Sequence, residues 1–277
     1  MDLDTIRDVV MARGREDLTG LGAGSAVLAG GTWLYSEPQD RLDRLVDITG
    51  LGWTPLTSDD DGLEIAATCT LAELADTAYP AHWPATRLFG QACGALVASH
   101  KIRRMATVGG NVCLALPAGA VLAALTALGG SALVWWSGGD EWIPVSRFVI
   151  GPGQTLLDQG DVLRALRIPA ANLRSRTAFR KLALTPKGRS GSVVMGRRDR
   201  SGALTLTLSA ATTRPVVLEF PDLPTSGELS ATLADIQPDL WYDDPHGAPD
   251  WRCHITSVLA AEVTAELSGA NPSGDRS

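Results

Sequence analysis

Ile102-Arg103-Arg104-Met105-Ala106-Thr107-Val108-Gly109-Gly110-Asn111-Val112-Cys113 is the stretch on which the reading of this chain turns. Paired glycines let an anion reach the main chain, because no Cβ intervenes and successive amides can be aimed into one concavity. An earlier stretch, Leu28-Ala29-Gly30-Gly31-Thr32, follows the same logic after a short apolar run that reads as a strand. Two such loops suit the two sides of one pyrophosphate, with Thr32, Thr107 and Asn111 adding side-chain hydrogen bonds. A single Gly-Gly pair is more often only a tight turn. Neither loop is a Walker A motif, since no Gly-Lys-Ser/Thr follows. Gly22-Ala23-Gly24 fails as a Rossmann fingerprint because Val27 stands where its third small residue belongs.

The sequence around these loops alternates short elements. Apolar spacing through Leu3, Ile6, Val9 and Val10 predicts a first helix over residues 3–18. Strands are expected at Ala26-Val27-Leu28-Ala29, Leu45-Val46-Asp47-Ile48 and Leu63-Glu64-Ile65-Ala66-Ala67. Thr70-Leu71-Ala72-Glu73 has capping-box spacing and should open a helix. Pro84 suits the first turn of another, running toward Arg103. The alternation of residues 162–169 predicts a strand with an exposed face. Beyond Asn172 four strand-like segments follow, with Asp199-Arg200-Ser201-Gly202 as a hairpin turn, and helical spacing returns from about Asp250 to Leu267. A domain boundary is expected near residue 172.

The chain has 277 residues, 45% apolar and 20% charged, so a globular fold of two domains is expected. Its net charge of −7 argues against nonspecific nucleic-acid binding. Cys69, Cys93, Cys113 and Cys253 are too scattered for a disulfide framework or an iron–sulfur motif. The acidic start, Met1-Asp2-Leu3-Asp4-Thr5, is unlike a signal peptide, so a reducing, cytoplasmic setting is expected. No charged residue or histidine occurs between Arg104 and Asp140, but seven glycines and one proline divide that stretch into a loop, a short helix and a strand rather than a membrane span.

The charge is uneven. Residues 174–200 hold nine Lys or Arg and one acid, whereas residues 201–277 hold three basic and eleven acidic residues. The basic run reads either as a solvated hairpin or as a docking surface for an acidic partner or a phosphate. His82, His100, His246 and His254 are widely spaced, and no metal site or acid–base dyad is visible. Trp33 can pack on a bound ring or simply on its own loop. Trp135, Trp136 and Trp142 flank a hairpin at Gly138-Gly139-Asp140.

Taken in order, Ala29-Gly30-Gly31-Thr32, Leu45-Val46-Asp47-Ile48, residues 102–113, Leu125-Thr126-Ala127-Leu128-Gly129, Phe179-Arg180-Lys181 and the closing segment with Asp244 and Trp251-Arg252 resemble the landmarks of one family. It is the FAD-binding medium subunit of molybdenum hydroxylases, the xanthine dehydrogenase and carbon monoxide dehydrogenase flavoproteins. The resemblance implies an α+β fold of the vanillyl-alcohol-oxidase type over residues 1–172, with two subdomains. A C-terminal domain over 173–277, with three antiparallel strands and helices, would follow. It implies FAD bound by Leu28, Ala29, Gly30, Gly31, Thr32, Trp33 and Leu34 in the first loop and by Ala106, Thr107, Val108, Gly109, Gly110 and Asn111 in the second, with Leu163 and Lys181 near the flavin. It also implies a heterotrimer, paired into a dimer, with a large molybdopterin subunit and a small 2Fe–2S subunit that delivers electrons for an external acceptor. Many relatives carry Asn, Ser and Asp where this chain has Leu114, Leu116 and Ala120, so a sugar contact is missing here. The rival readings are a self-sufficient flavin oxidoreductase and a scaffold subunit without FAD.

Overall fold

The structure is a computed structural model that describes residues 3–136 and 138–269. Met1, Asp2, Asp275 and Arg276, which entered the sequence readings above, lie outside the described residues. Strands β1 (Asp8–Met11), β2 (Ser25–Leu28) and β3 (Arg44–Asp47) form a parallel sheet in the order β1-β3-β2. The helix expected over 3–18 is therefore absent. Val9-Val10 is a β-branched pair that suits a pleated strand, and Gly14 opens a separate short 3₁₀ turn, Arg15–Leu18. What decides for the strand is pairing with β3, 36 positions along the chain in register Val9 to Leu45, which local spacing cannot show.

A five-stranded antiparallel sheet follows, in the order β4-β5-β10-β6-β7. Its members are β4 (Leu56–Asp59), β5 (Gly62–Ala66), β6 (Ser131–Trp136), β7 (Gly139–Pro144) and β10 (Val162–Pro169), while β8 (Val149–Gly151) and β9 (Gln154–Thr155) make a small hairpin. Strand β10 lies at its centre and is mostly buried, so the exposed face expected of its alternation is not there. The helices over this sheet are α1 (Leu71–Asp76), α2 (Arg87–Ala95), α3 (His100–Arg103), α4 (Val108–Leu114), α5 (Ala120–Ala127), α6 (Val145–Phe148) and α7 (Ala170–Leu173). The Thr70–Glu73 capping box is formed in both directions. The single helix expected from Pro84 to Arg103 is instead broken at Leu96. Ser99 accepts from the Ile102 amide and caps a new helix, a competition with the backbone at which serine excels.

The third sheet, β11 (Arg176–Leu182), β12 (Ser192–Arg198), β13 (Leu204–Ser209) and β14 (Val216–Phe220), is an antiparallel meander. The four segments read as strands all take part, and β14 adds to the three that the resemblance implies. Gly202 sits at φ +102° in the turn predicted between β12 and β13. Helices α8 (Ser226–Ala234) and α9 (Pro249–Ser268) cover one face. The other face presents Val193, Met195 and Ala210 to the core that α5 fills. Every residue of α5 is buried. The uncharged stretch is thus α4, α5 and β6, two helices rather than one, and among the described residues no helix is long and apolar enough to cross a membrane.

Four of the nine basic residues in the run 174–200 are spent on the chain's own acceptors. Arg180 pairs with Glu262 and Glu266 of α9, and Arg176 and Arg198 both donate to the Leu267 carbonyl at its C-terminal end, where a helix carries partial negative charge. Buried Arg197 pairs with Asp199 and donates to the Ala127 carbonyl at the end of α5. These four arginines are therefore not a docking surface. A second tie joins the small parallel sheet to the large one. The Arg164 guanidinium lies over Trp53 at 4.4 Å, Trp53 meets Trp135 edge-on at 5.4 Å, and Arg15 lies over Trp135 at 4.7 Å while pairing with Asp140.

Arg252 is 1% exposed and donates to the carbonyls of Gly247, Gly191 and Ala210 and to the Asp244 carboxylate. Replacing it with alanine strands one carboxylate and three carbonyls, and removal of one partner of a buried pair costs about 3–5 kcal/mol. Arg252→Ala is expected to lower the unfolding free energy from urea titration by that amount, while Arg200→Ala, at an exposed turn position, leaves it unchanged.

Candidate functional site

The two glycine segments meet through their backbones. A Cβ on Gly30 would lie 1.8 Å from the Met105 carbonyl oxygen, and one on Gly109 would lie 2.6 Å from the Ala67 Cβ. Neither glycine is there to admit a ligand directly; each lets the chain pack against a neighbouring segment. Gly31 is needed for a different reason, its φ of +66°. Gly110 is the exposed member, where a Cβ would meet only the Thr107 Oγ1 at 3.0 Å.

The second segment is not a loop of free amides. Thr107 is the N-cap of α4, its Oγ1 accepting from the Gly110 amide at 3.1 Å. The Val108 and Gly109 amides donate to the Cys69 and Ala67 carbonyls, and the Asn111 amide donates to the Thr107 carbonyl. Glycines at a helix start weaken the pattern by which a helix is recognised, which is why the sequence reads as a loop. Asn111 Oδ1 accepts from the Leu122 amide at 3.1 Å and so caps α5 from a distance. Among the described residues its Nδ2 has no protein acceptor.

The first segment is the opposite case. Among the described residues, the five successive amides from Gly30 to Leu34 donate to no protein group, although Tyr35 and Ser36 fold back onto the Gly31 and Trp33 carbonyls. Buried or half-buried amides are almost always paired, so a run of unpaired ones marks a place meant for an external acceptor.

Both segments face one cavity of about 360 Å³. Leu28, Ala29, Gly30, Gly31, Thr32, Trp33 and Leu34 line one side, and Ala106, Thr107, Gly109, Gly110 and Asn111 line another. Leu163 of β10 closes a third. Two of the residues named from sequence lie elsewhere: Val108 points into the main core, and Lys181 is exposed on β11 outside the cavity. Sequence reading missed Ile102, Leu157, Val162 and Asp161, which the fold delivers from the α3 turn and the approach to β10. Asp161 is the one carboxylate in the lining; a lone acid in a loop gives no signal of its own. Leu114 also lines the cavity, whereas Leu116 and Ala120 do not.

Burial governs the thiols nearby. Cys113, in the cavity wall, and Cys69 are pushed up to about 12, and Cys93 to about 11, all chiefly by loss of water. A folded-state value raised above the ordinary 9.0 means that the unfolded chain ionises first, so stability holds below pH 9 and is lost as pH rises toward 12. The urea midpoint is expected to stay flat from about pH 7 to 9 and then fall, and Cys93→Ala should flatten part of that fall.

An anion cradle of free amides above an apolar cleft defines a site for an extended ligand with a phosphate-bearing part and a flat apolar part. Residues 11–171, more than half of the chain, match the family model described as the FAD binding domain in molybdopterin dehydrogenase. The chain belongs to this family, and its cofactor is FAD. Solved structures share the whole fold. Reconstituted CO dehydrogenase from Oligotropha carboxidovorans matches with a TM-score of 0.84 at 21% identity over 98% of this chain and 100% of that one. CO dehydrogenase from Hydrogenophaga pseudoflava lacking the Mo-pyranopterin moiety gives 0.81 at 17% over 98% and 99%. Quinoline 2-oxidoreductase from Pseudomonas putida 86 gives 0.79 at 17% over 98% and 99%. No curated protein matches the chain in sequence.

Proposed function

We propose that this protein is the FAD-carrying electron-transfer subunit of a molybdenum hydroxylase. It would take electrons from a 2Fe–2S subunit and pass them to an external acceptor, with a molybdopterin subunit oxidising the substrate. In this reading activity needs both partners, the complex is a cytoplasmic dimer of heterotrimers, and the chain divides near residue 172. The run of five unpaired amides from Gly30 to Leu34, set against Gly110 across the cavity, carries the reading.

Bound there, FAD supplies a carrier that can exchange one or two electrons, chemistry that resides in the cofactor rather than in any side chain. The chain's own residues do the holding. The amides of residues 30–34 and the Thr32 hydroxyl would take the pyrophosphate, while the Asn111 Nδ2 would donate from the opposite wall. Leu28, Ile102, Leu114 and Leu163 would exclude water around the apolar part. Asp161 would accept from a sugar hydroxyl, in place of the aspartate that relatives carry where Ala120 stands.

Three substitutions test this. Gly110→Ala should leave the apoprotein stable to within about 0.5 kcal/mol, as an exposed substitution does, and act only on flavin affinity. Gly30→Ala should lower both apoprotein stability and flavin content, because its Cβ collides with backbone. Asp161→Ala should raise the FAD dissociation constant by about five- to tenfold, the worth of one lost hydrogen bond of about 1 kcal/mol. Titration of the apoprotein by flavin fluorescence reads all three. Isolation of the intact complex should give flavin, iron and molybdenum with two further polypeptides. A yellow chain active alone would establish a self-sufficient enzyme instead, and a colourless chain in an active complex a scaffold.

A further inference from the structure

Trp33 is a large ring that the fold itself does not use. Trp53, Trp83, Trp135, Trp136 and Trp241 pack in or against the apolar cores, and Trp33 belongs to none of them. Among the described residues its indole meets no other ring and no cation, and the residue is 41% exposed. Its main chain, by contrast, is fixed. The Tyr35 amide donates to the Gly31 carbonyl at 2.9 Å, and the Ser36 amide and hydroxyl both donate to the Trp33 carbonyl, at 2.8 and 2.7 Å. Trp33 lines the cavity within the run of unpaired amides, and it is the one aromatic residue in that lining among the described residues. The cavity shares Val27 and Asp161 with a second one of about 410 Å³, whose wall includes Gly22, Ala23, Ser25, Asp158 and Gln159. Trp33 has no part in that polar wall.

We infer that the Trp33 indole is the positioning residue on which the isoalloxazine ring of FAD stacks, and that this contact lowers the reduction potential of the bound flavin. The inference rests on the proposed FAD reading and adds to it a residue and a role. Offset stacking of flat rings is worth more than the area it buries. Tryptophan has only two side-chain torsions, and here its backbone is already held, so little freedom is lost when a ring settles on it. Of the two flat parts of FAD, adenine follows the sugar, and the carboxylate that would take a sugar hydroxyl, Asp161, opens on the second, polar cavity. The isoalloxazine must instead stay within reach of donors and acceptors outside the chain, and Trp33 is the half-exposed ring of the lining. The face of an indole is electron-rich, so it opposes the charge a flavin ring gains on reduction and favours the oxidised form.

The test uses the full chain freed of flavin and titrated with FAD and, separately, with ADP, which carries the pyrophosphate and adenosine but no flavin ring. An adjacent indole quenches an excited flavin by giving it an electron, which a phenyl ring cannot do. Fluorescence of bound FAD should therefore be low in the wild type and rise several-fold in both Trp33→Phe and Trp33→Leu. Trp33→Leu should raise the FAD dissociation constant by about two- to tenfold, the worth of one stacked aromatic pair, and raise the midpoint potential of the bound flavin. Trp33→Phe should hold FAD nearly as the wild type does. ADP affinity and the urea midpoint of the apoprotein should be the same in all three proteins. Fluorescence that stays quenched in both variants overturns the inference. So does an equal loss of ADP and FAD affinity, which would put Trp33 on adenine, or a loss of apoprotein stability with FAD affinity unchanged, which would make it a packing residue of its own loop. A wild-type chain that binds ADP but no FAD overturns the flavin reading itself, and the stacking role with it.

Discussion

Two backbone segments more than seventy residues apart are held in contact because Gly30 has no Cβ at the point of closest approach to Met105. Gly30 lies on the carbonyl of Met105, and Gly109 lies on Ala67 with its amide donating to the Ala67 carbonyl. Nearly everything about the site follows. The contact brings the first segment against the capped start of α4, and the space left beyond it is the cavity. It also divides the labour between the segments. One spends its amides on the fold and becomes a rigid wall, while the other keeps its amides and becomes the cradle.

The rigid wall has its own supports. Thr107 caps α4, and the side chain of Asn111 reaches across to cap α5, so two helices start from the same few residues. The wall is therefore positioned by the most deeply buried helix in the molecule rather than by loop packing. On the other side, the tryptophan and arginine stack from Arg164 to Arg15 ties the parallel sheet that carries the cradle to the sheet that carries Leu163. The width of the cleft is thus set by elements outside it.

Much of this was legible in the sequence. The glycine pairs, the Thr70–Glu73 capping box, the hairpin at Gly202 and the closing helix are all local signals, and local physics decides them. What could not be read depends on partners far along the chain. Val9 and Val10 suit a helix or a strand, and only β3 chooses between them. The arginines of β11 and β12 look like free surface charge until α9 is folded against them. Gly109 and Gly110 look like a loop because glycine conceals a helix start, although Thr107 three residues before Gly110 was a cap in plain sight. Asp161 had no signal, since its place in the cavity comes from the path of the chain into β10.

The burial of α5 on all sides bears on how the molecule can be taken apart. Its eight residues are covered partly by the large sheet and α2, and partly by Val193, Met195 and Ala210 from the C-terminal meander. Its last turn is held by Arg197 from that same meander. A chain ended near residue 171, where the family match stops, would present a bare apolar helix to water and leave its terminal carbonyl without a donor. The matched region and the C-terminal sheet therefore share one apolar core, packed around the helix that the Asn111 side chain caps.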